Sequence, residues 1–347
     1  MTTPAPLAAF AARYGLSPAA LSARIEASGY EDAVEIENPA PGGEVARLRI
    51  KPLGRFGNVF AQLLHAMMLA RALGVRRIAL PAYQPGPTPG EAAGIRLEHA
   101  APDRAPEDPA PTDRAPAPTL AANFFWAAPF APVLPEAREA GAMLAALGPR
   151  YAHLPPPTAR EEIAVHFRAG DVFGVRDPGG YSWIVPIYVQ PPASYYRAAI
   201  ARARAETGIA LVRLVYEGRE NPAVDATAAW LLRERIPFTA QSLSPAEDLA
   251  ALMAARVIVG GCGTFAEAAA LLSPHLRMLW AFRTVECHAH IHARPEPLWA
   301  RLLRGKGAAI RVLRDAGDYI APLTWSASPE QLALLRDYPG EKLTLTE

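Results

Sequence analysis

The feature that most constrains this chain is a recurring junction: a short apolar run, a turn containing glycine, then a helical periodicity. Its sharpest instance is Ile163-Ala164-Val165-His166-Phe167, which stops at Arg168-Ala169-Gly170-Asp171. A largely apolar run of this length reads as a buried strand, and the four residues after it as the turn leaving its carboxyl end. In an open parallel sheet ligands bind at that end, where loops and helix N-termini converge. Arg168 there offers a rigid fork of donors that matches two phosphate oxygens. Gly170 lets the backbone turn sharply or approach a ligand closely, and Asp171 is placed to orient Arg168 or to accept a sugar hydroxyl or a proton. A structural Arg-Asp pair closing the strand accounts for the same residues.

A chain of 347 residues exceeds a single comfortable core and predicts about two domains. Its 35 Lys plus Arg balance 34 Asp plus Glu, a net charge of +1. That balance argues against a dedicated nucleic-acid binder, while a local basic cleft for phosphates remains compatible with it. Two cysteines, Cys262 and Cys287, are too few for a disulfide framework. The opening Met1-Thr2-Thr3-Pro4-Ala5-Pro6 lacks the pattern of a signal peptide, and no apolar run is long enough to cross a bilayer. The expectation is a cytoplasmic protein without a transmembrane segment, with peripheral contact to a membrane left open.

Residues 7–29 read as two short helices around a glycine, either an appended packing element or a helix-turn-helix without a basic second helix. Arg47 to Leu53 alternates like a strand, and Gly54-Arg55-Phe56-Gly57-Asn58 reads as a tight turn. From Asn58 the pattern is helical, with Phe60, Leu63, Leu64 and Met67 on one face and Gly74 at the end. Arg77 to Pro81 is then a second strand, completing a β-α-β unit. Asn58 is placed to cap the helix and point its amide at a bound group, or to cap it and nothing more. Residues 98–118 read as a surface loop, Phe124, Phe125, Trp126 and Phe130 as core or as an acceptor groove, and Leu154-Pro155-Pro156-Pro157 as a stiff linker. Residues 174–190, with Tyr181, Trp183 and Tyr188, form a loop positioned to cover a site.

Helices are expected from Pro192 and over 222–235, with a strand at Leu211 to Tyr216 between them. Glu217 in the exit turn is a candidate for hydrogen bonds to a ribose or base, or a solvated loop carboxylate. Ser244-Pro245-Ala246-Glu247 is a capping box with Pro at the first helical position. Arg256 to Gly261 is a buried strand, and Cys262-Gly263-Thr264-Phe265-Ala266-Glu267 turns into a helix that Thr264 and Glu267 can box. A glycine-rich turn feeding a helix N-terminus offers free N–H groups and a favourable dipole to an anion. Strands follow at Leu276 to Phe282 and Ala309 to Leu313, and the last helix, over 329–337, is expected to pack back across the first domain. His288, His290 and His292 share one side if extended, but lack the ligand spacing of a metal site.

Three stretches together resemble the alpha-1,2-, alpha-1,6- and protein O-fucosyltransferases. Gly54-Arg55-Phe56-Gly57-Asn58 is similar to that superfamily's Gly-x-x-Gly-Asn turn, His166 to Asp171 to its His-x-Arg-x-Gly-Asp motif, and Gly263-Thr264-Phe265 to its Ser-Ser/Thr-Phe turn. Asp248 to Leu252 is similar to its Asp-x-x-x-Met stretch, and the likeness spans residues 46 to 282. The resemblance implies an α/β fold of the GT-B kind, two Rossmann-like domains facing a cleft. The chain then divides into an N-terminal helical extension (1–45), an acceptor-side domain (46–155), a donor domain (156–325) and a C-terminal helix and tail (326–347). It further implies metal-independent inverting transfer without a cofactor, from a nucleotide-sugar donor such as GDP-fucose to a glycan or glycoconjugate acceptor. Arg168 would hold the pyrophosphate and stabilise the leaving diphosphate, with Asn58, His166, Gly170, Glu217, Gly261, Gly263, Thr264 and Phe265 around the donor. Asp171 is the candidate base. The sequence departs from the alpha-1,2 pattern at Val59, Ala169 and Cys262-Gly263, so another nucleotide sugar, or a silent nucleotide- or glycan-binding protein, is the alternative. A DNA-associated regulator built on residues 7–29 is a third.

Overall fold

The computed structural model describes residues 34–37, 46–52, 54–81, 86–99, 119–122, 137–151, 158–174, 188–283, 298–321 and 324–346. The helices expected over 7–29, the aromatic residues at 124–130, the prolines at 155–157, Tyr181, Trp183 and the three histidines at 288–292 lie outside these residues. The chain divides into two compact units, Met1–His153 and Leu154–Glu347.

In the first unit the strands are β1 (Val34–Glu37), β2 (Arg47–Ile50), β3 (Arg77–Leu80), β4 (Gly90–Ala92), β5 (Ile95–His99) and β6 (Thr119–Ala122), and the helices α1 (Phe56–Leu73) and α2 (Ala137–Leu147). The sheet order is β1-β6-β2-β3-β5-β4. β1 and β4 pair antiparallel with their neighbours, and the inner strands run parallel. The expected β-α-β unit is β2-α1-β3, with Leu48 opposite Ile78. Phe60, Leu63, Leu64 and Met67 of α1 are buried. Each such side chain contributes about 1.5–3 kcal/mol by leaving water. Gly74 ends the helix in the left-handed region at φ 67°, donating back to Ala70 and Arg71 carbonyls.

Two expectations are corrected here. The helix starts a turn early, with Arg55 at its N-cap, so Asn58 lies inside the helix and is not its cap. The residues read as a turn, Phe56 and Gly57, are helical and buried, because Phe56 packs on Phe60 and Tyr151. Glu98 and His99, read as the start of a loop, finish β5, where both carboxylate oxygens of Glu98 accept from Nη2 of Arg77 on the neighbouring strand.

The second unit holds β7 (Arg160–Phe167), β8 (Leu211–Tyr216), β9 (Phe238–Gln241), β10 (Ala255–Val259), β11 (Met278–Arg283), β12 (Ala309–Asp315) and β13 (Leu343–Thr346). Its helices are α3 (Ala193–Thr207), α4 (Pro222–Arg233), α5 (Pro245–Ala254), α6 (Thr264–Leu272), α7 (Leu298–Gly305) and α8 (Pro329–Asp337). The order is β13-β12-β11-β10-β7-β8-β9, parallel except for β13 on β12. The chain lays down β7, β8 and β9 outward in one direction, then returns to build β10, β11 and β12 in the other. The sheet reverses between β7 and β10, and in open α/β sheets such a reversal leaves a crevice at the carboxyl ends of the two strands.

β7 is buried along Ile163 to Phe167 as its apolar run requires. The Ser244/Glu247 capping box is formed at α5. The C-terminal helix is built into the second unit. Leu335 of α8 is fully buried in the second unit's core with Tyr338 and Leu343, and α8 packs on α3 and α4. Its amphipathic pattern shows that one face is covered without showing by what.

Candidate functional site

At the carboxyl end of β7 the chain turns through Arg168 and Ala169 into a single helical turn, Gly170–Phe173. Gly170 sits at φ +67°, and a Cβ there would meet the Glu217 carboxylate carbon at 2.9 Å. A side chain at this position would be both strained and in collision. Arg168 is held from two sides. Its Nη1 donates to Glu217 Oε2 at 2.6 Å, and its Nη2 donates to Asp171 Oδ1. The Arg168 carbonyl accepts from Asn221 Nδ2 at 3.0 Å, while Asn221 Oδ1 caps α4 by accepting from Ala223 N–H at 3.0 Å. One buried asparagine therefore ties the start of α4 to the arginine's own backbone. Glu220 adds a carboxylate oxygen 3.3 Å from the Gly170 N–H.

The neighbouring strand β10 is followed by Gly260-Gly261-Cys262-Gly263, which enters α6. The helix N-cap is Gly263 at φ +142°, and Thr264 is the first helical residue. Gly263, and not Thr264, therefore holds the N-cap position that the expected Thr264/Glu267 box would need. Gly261 comes close to β7: a Cβ on it would lie 3.1 Å from the His166 carbonyl and 3.5 Å from the Arg168 nitrogen. A Cβ on Gly263 would lie 4.0 Å from Arg168 Cδ. The two turns thus meet, with a guanidinium beside a glycine-rich helix N-terminus.

His166 stacks on Phe265, ring centroids 5.2 Å apart at 32°. Burial, with help from the Arg168 charge, pushes the imidazole down to about 3, so it is neutral across the physiological range. Behind the glycine turn, Tyr195 donates to the Gly260 carbonyl and Gln190 to the Cys262 carbonyl. Cys262 is a buried free thiol.

The second unit accordingly brings together Arg168, Gly170, Asp171, Glu217, Gly261, Gly263, Thr264, His166 and Phe265. Glu217 meets Arg168 directly, an ion pair that the expectation of a ribose or base contact did not include. Asn58 belongs to the first unit, where its amide folds back so that a Cβ on Gly54, at φ +73°, would fall 2.3 Å from Asn58 Nδ2. Tyr188, expected to cover a site, packs against the second unit's core. Sequence reasoning missed Gln190, Tyr195 and Asn221. Asn221-Pro222 carries a readable signal, an N-cap residue before a proline at the first helical position. Asp248, within the motif-like stretch, is buried and accepts from Gln241 at 2.7 Å, and burial raises its carboxyl above the usual range. Among the described residues no cluster of three His, Cys, Asp or Glu groups could hold a metal ion, and no helix is long and apolar enough to cross a membrane.

No protein-family model and no curated protein matches the chain. Among solved structures it is similar to POFUT1 in complex with GDP, at 15% identity and a TM-score of 0.38, covering 66% of this chain and 94% of that one. Two structures of POFUT1 in complex with GDP-fucose match at 14% identity and the same TM-score, covering 68% and 66% of this chain and 96% and 94% of theirs.

Proposed function

We propose that the second unit binds a nucleoside-diphosphate sugar, and that the protein is a glycosyltransferase moving fucose from GDP-fucose to a glycan hydroxyl with inversion. The observation that carries this reading is the meeting of Arg168 with the Gly260–Thr264 turn at the reversal point between β7 and β10. Both stretches bear the motifs that resemble the fucosyltransferases, and an anion at that point faces a guanidinium and a helix N-terminus together.

In the proposed reaction the acceptor hydroxyl attacks the anomeric carbon of the sugar. The bond from that carbon to the diphosphate oxygen breaks, and its electron pair stays on the departing diphosphate. Arg168 and the N-terminus of α6 stabilise the growing charge without a metal. Asp171, bonded to Arg168 and partly exposed, is the proposed acceptor of the hydroxyl proton.

A second reading, a nucleotide-binding protein without turnover, is favoured by Ala169, which is fully buried and leaves no room for a second arginine beside Arg168. Calorimetric titration with GDP, UDP and GDP-fucose, without added metal, tests the donor site on the native protein and on Arg168→Ala. The expected result is GDP-selective binding that Arg168→Ala abolishes, and an acceptor-dependent release of GDP from GDP-fucose. GDP binding without any such release favours the second reading. Absence of binding by a folded protein overturns both.

A further inference from the structure

The glycine turn after β10 is clamped by two side chains from the segment that enters α3. The Tyr195 hydroxyl donates to the Gly260 carbonyl at 2.8 Å, and Gln190 Nε2 donates to the Cys262 carbonyl at 3.3 Å. Both side chains are fully buried. Gln190 is itself anchored: its backbone carbonyl accepts from the Tyr319 hydroxyl at 2.8 Å, and its Nε2 also donates to the Tyr188 carbonyl at 3.1 Å. The adjacent Tyr196 hydroxyl, buried and without a hydrogen-bond partner among the described residues, lies 3.0 Å from where a Cβ on Gly261 would sit.

A trans peptide is planar, with its C=O and the following N–H pointing in opposite directions. Drawing the Gly260 and Cys262 carbonyls toward Gln190 and Tyr195 therefore turns the N–H groups of Gly261 and Gly263 away from them. Neither N–H has a backbone acceptor among the described residues. Two N–H groups freed in this way, two residues apart in one turn, can be shared by an anion. Arg168 lies beside this turn.

We propose that Tyr195 and Gln190 are positioning residues for the diphosphate subsite: by holding two carbonyls of the turn they aim the Gly261 and Gly263 N–H groups at the anion. This rests on the diphosphate reading of the site given above. Neither side chain need touch the ligand; they act through the peptide planes.

The test measures affinity for inorganic pyrophosphate and for GDP, with thermal unfolding in parallel, on Tyr195→Phe, Gln190→Met and a control, Ser273→Ala. Ser273 is a buried hydroxyl that donates to the Met253 carbonyl beyond the far end of α6, so its loss weakens the fold without reaching the turn. Tyr195→Phe and Gln190→Met should each weaken pyrophosphate and GDP about tenfold, the effect of one misdirected charge-assisted hydrogen bond. Ser273→Ala should lower the unfolding temperature by a similar amount and leave both affinities unchanged. Affinity losses in Tyr195→Phe and Gln190→Met no larger than in the control overturn the positioning role. GDP bound tightly and equally by the native protein and Tyr195→Phe overturns it while leaving the donor reading intact. Pyrophosphate binding that depends on Tyr195, with no preference for GDP over pyrophosphate, supports the role and removes the nucleotide from the donor reading.

Discussion

Nη1 of Arg168 lies 2.6 Å from Oε2 of Glu217, although the two residues are 49 positions apart in the chain. Adjacent parallel strands β7 and β8 place them at neighbouring carboxyl ends. Nη1 of the guanidinium is thus occupied by a carboxylate of the protein, as Nη2 is by Asp171. On the proposed reading, a diphosphate arriving at Arg168 would have to displace Glu217 or push it aside.

Glu217→Gln should therefore raise the affinity for inorganic pyrophosphate. Glu217 is 40% exposed, so the ion pair is screened by water and the gain is modest, about fivefold, or roughly 1 kcal/mol. Isothermal titration at low salt measures it. Weaker binding in Glu217→Gln would mean that the carboxylate contacts the ligand itself, as the sequence reading had it.

Gly261→Ala tests the close approach of the two turns. The added methyl would stand 3.0 Å from the Tyr196 hydroxyl and 3.1 Å from the His166 carbonyl, and the latter belongs to a central strand that cannot yield. Overpacking of this kind costs about 1–3 kcal/mol of stability. Pyrophosphate affinity should fall as well, because the turn must retreat from Arg168. Urea unfolding and titration of the same variant report both, and native-like values in both would remove the close approach from the account.

His166 makes the stability of the protein depend on pH in a defined window. In the unfolded chain an imidazole titrates near 6.5, whereas His166 in the fold stays neutral down to about 3. Between those limits the unfolded state binds one more proton, so this contribution to stability is complete above about 6.5 and is lost as pH falls toward 3. The slope is about 1.4 kcal/mol per pH unit. Urea unfolding of native protein and His166→Gln from pH 7 to pH 4 should show the native curve falling more steeply by that amount. Parallel curves would contradict the burial of a neutral imidazole.

The C-terminal segment is part of the second unit's core, and Leu335→Ala should show it. Truncating a fully buried leucine costs about 2–5 kcal/mol. The Trp325 indole N–H, donating to the Val172 carbonyl at 2.8 Å just beyond the Arg168 turn, links this segment to the site. Leu335→Ala should thus lower the unfolding midpoint in urea by the corresponding amount. A change below about 1 kcal/mol would show that α8 is a dispensable appendage.

What was legible in the sequence is what adjacent residues decide. Ile163 to Phe167 reads as a buried strand because His166 is the one polar side chain in it before Arg168. The capping box at Ser244 and Glu247 was readable for the same reason, since its two partners are one helical turn apart. Arg168 and the Gly260–Gly263 turn were found because each lies directly at a strand end. The partners of Arg168 beyond Asp171 were hidden, since Glu217 and Asn221 reach it only once β8 lies beside β7. Gln190 lies at the end of the stretch read as a loop and Tyr195 within the helix expected from Pro192, and their hydrogen bonds to the glycine turn exist only through tertiary packing. The start of α1 was missed because two glycines suggested a turn, although the second is packed inside the helix. β13 was missed because four alternating residues at a chain end carry little signal before β12 is there to receive them.

The reversal of strand order has a consequence for how the molecule comes to be. β7, β8 and β9 follow one another along the chain, each pairing with its predecessor, and such neighbours close shorter loops than β7 and β10 do. Val165 meets Val259 only after roughly ninety further residues, with α3, α4, α5 and two strands already between them. The half of the crevice bearing Arg168 can therefore form well before the half bearing Gly261 and Gly263. In a refolding experiment secondary structure would return first and ligand capture last, so a bound anion would report the insertion of β10, the step that unites the two halves of the sheet.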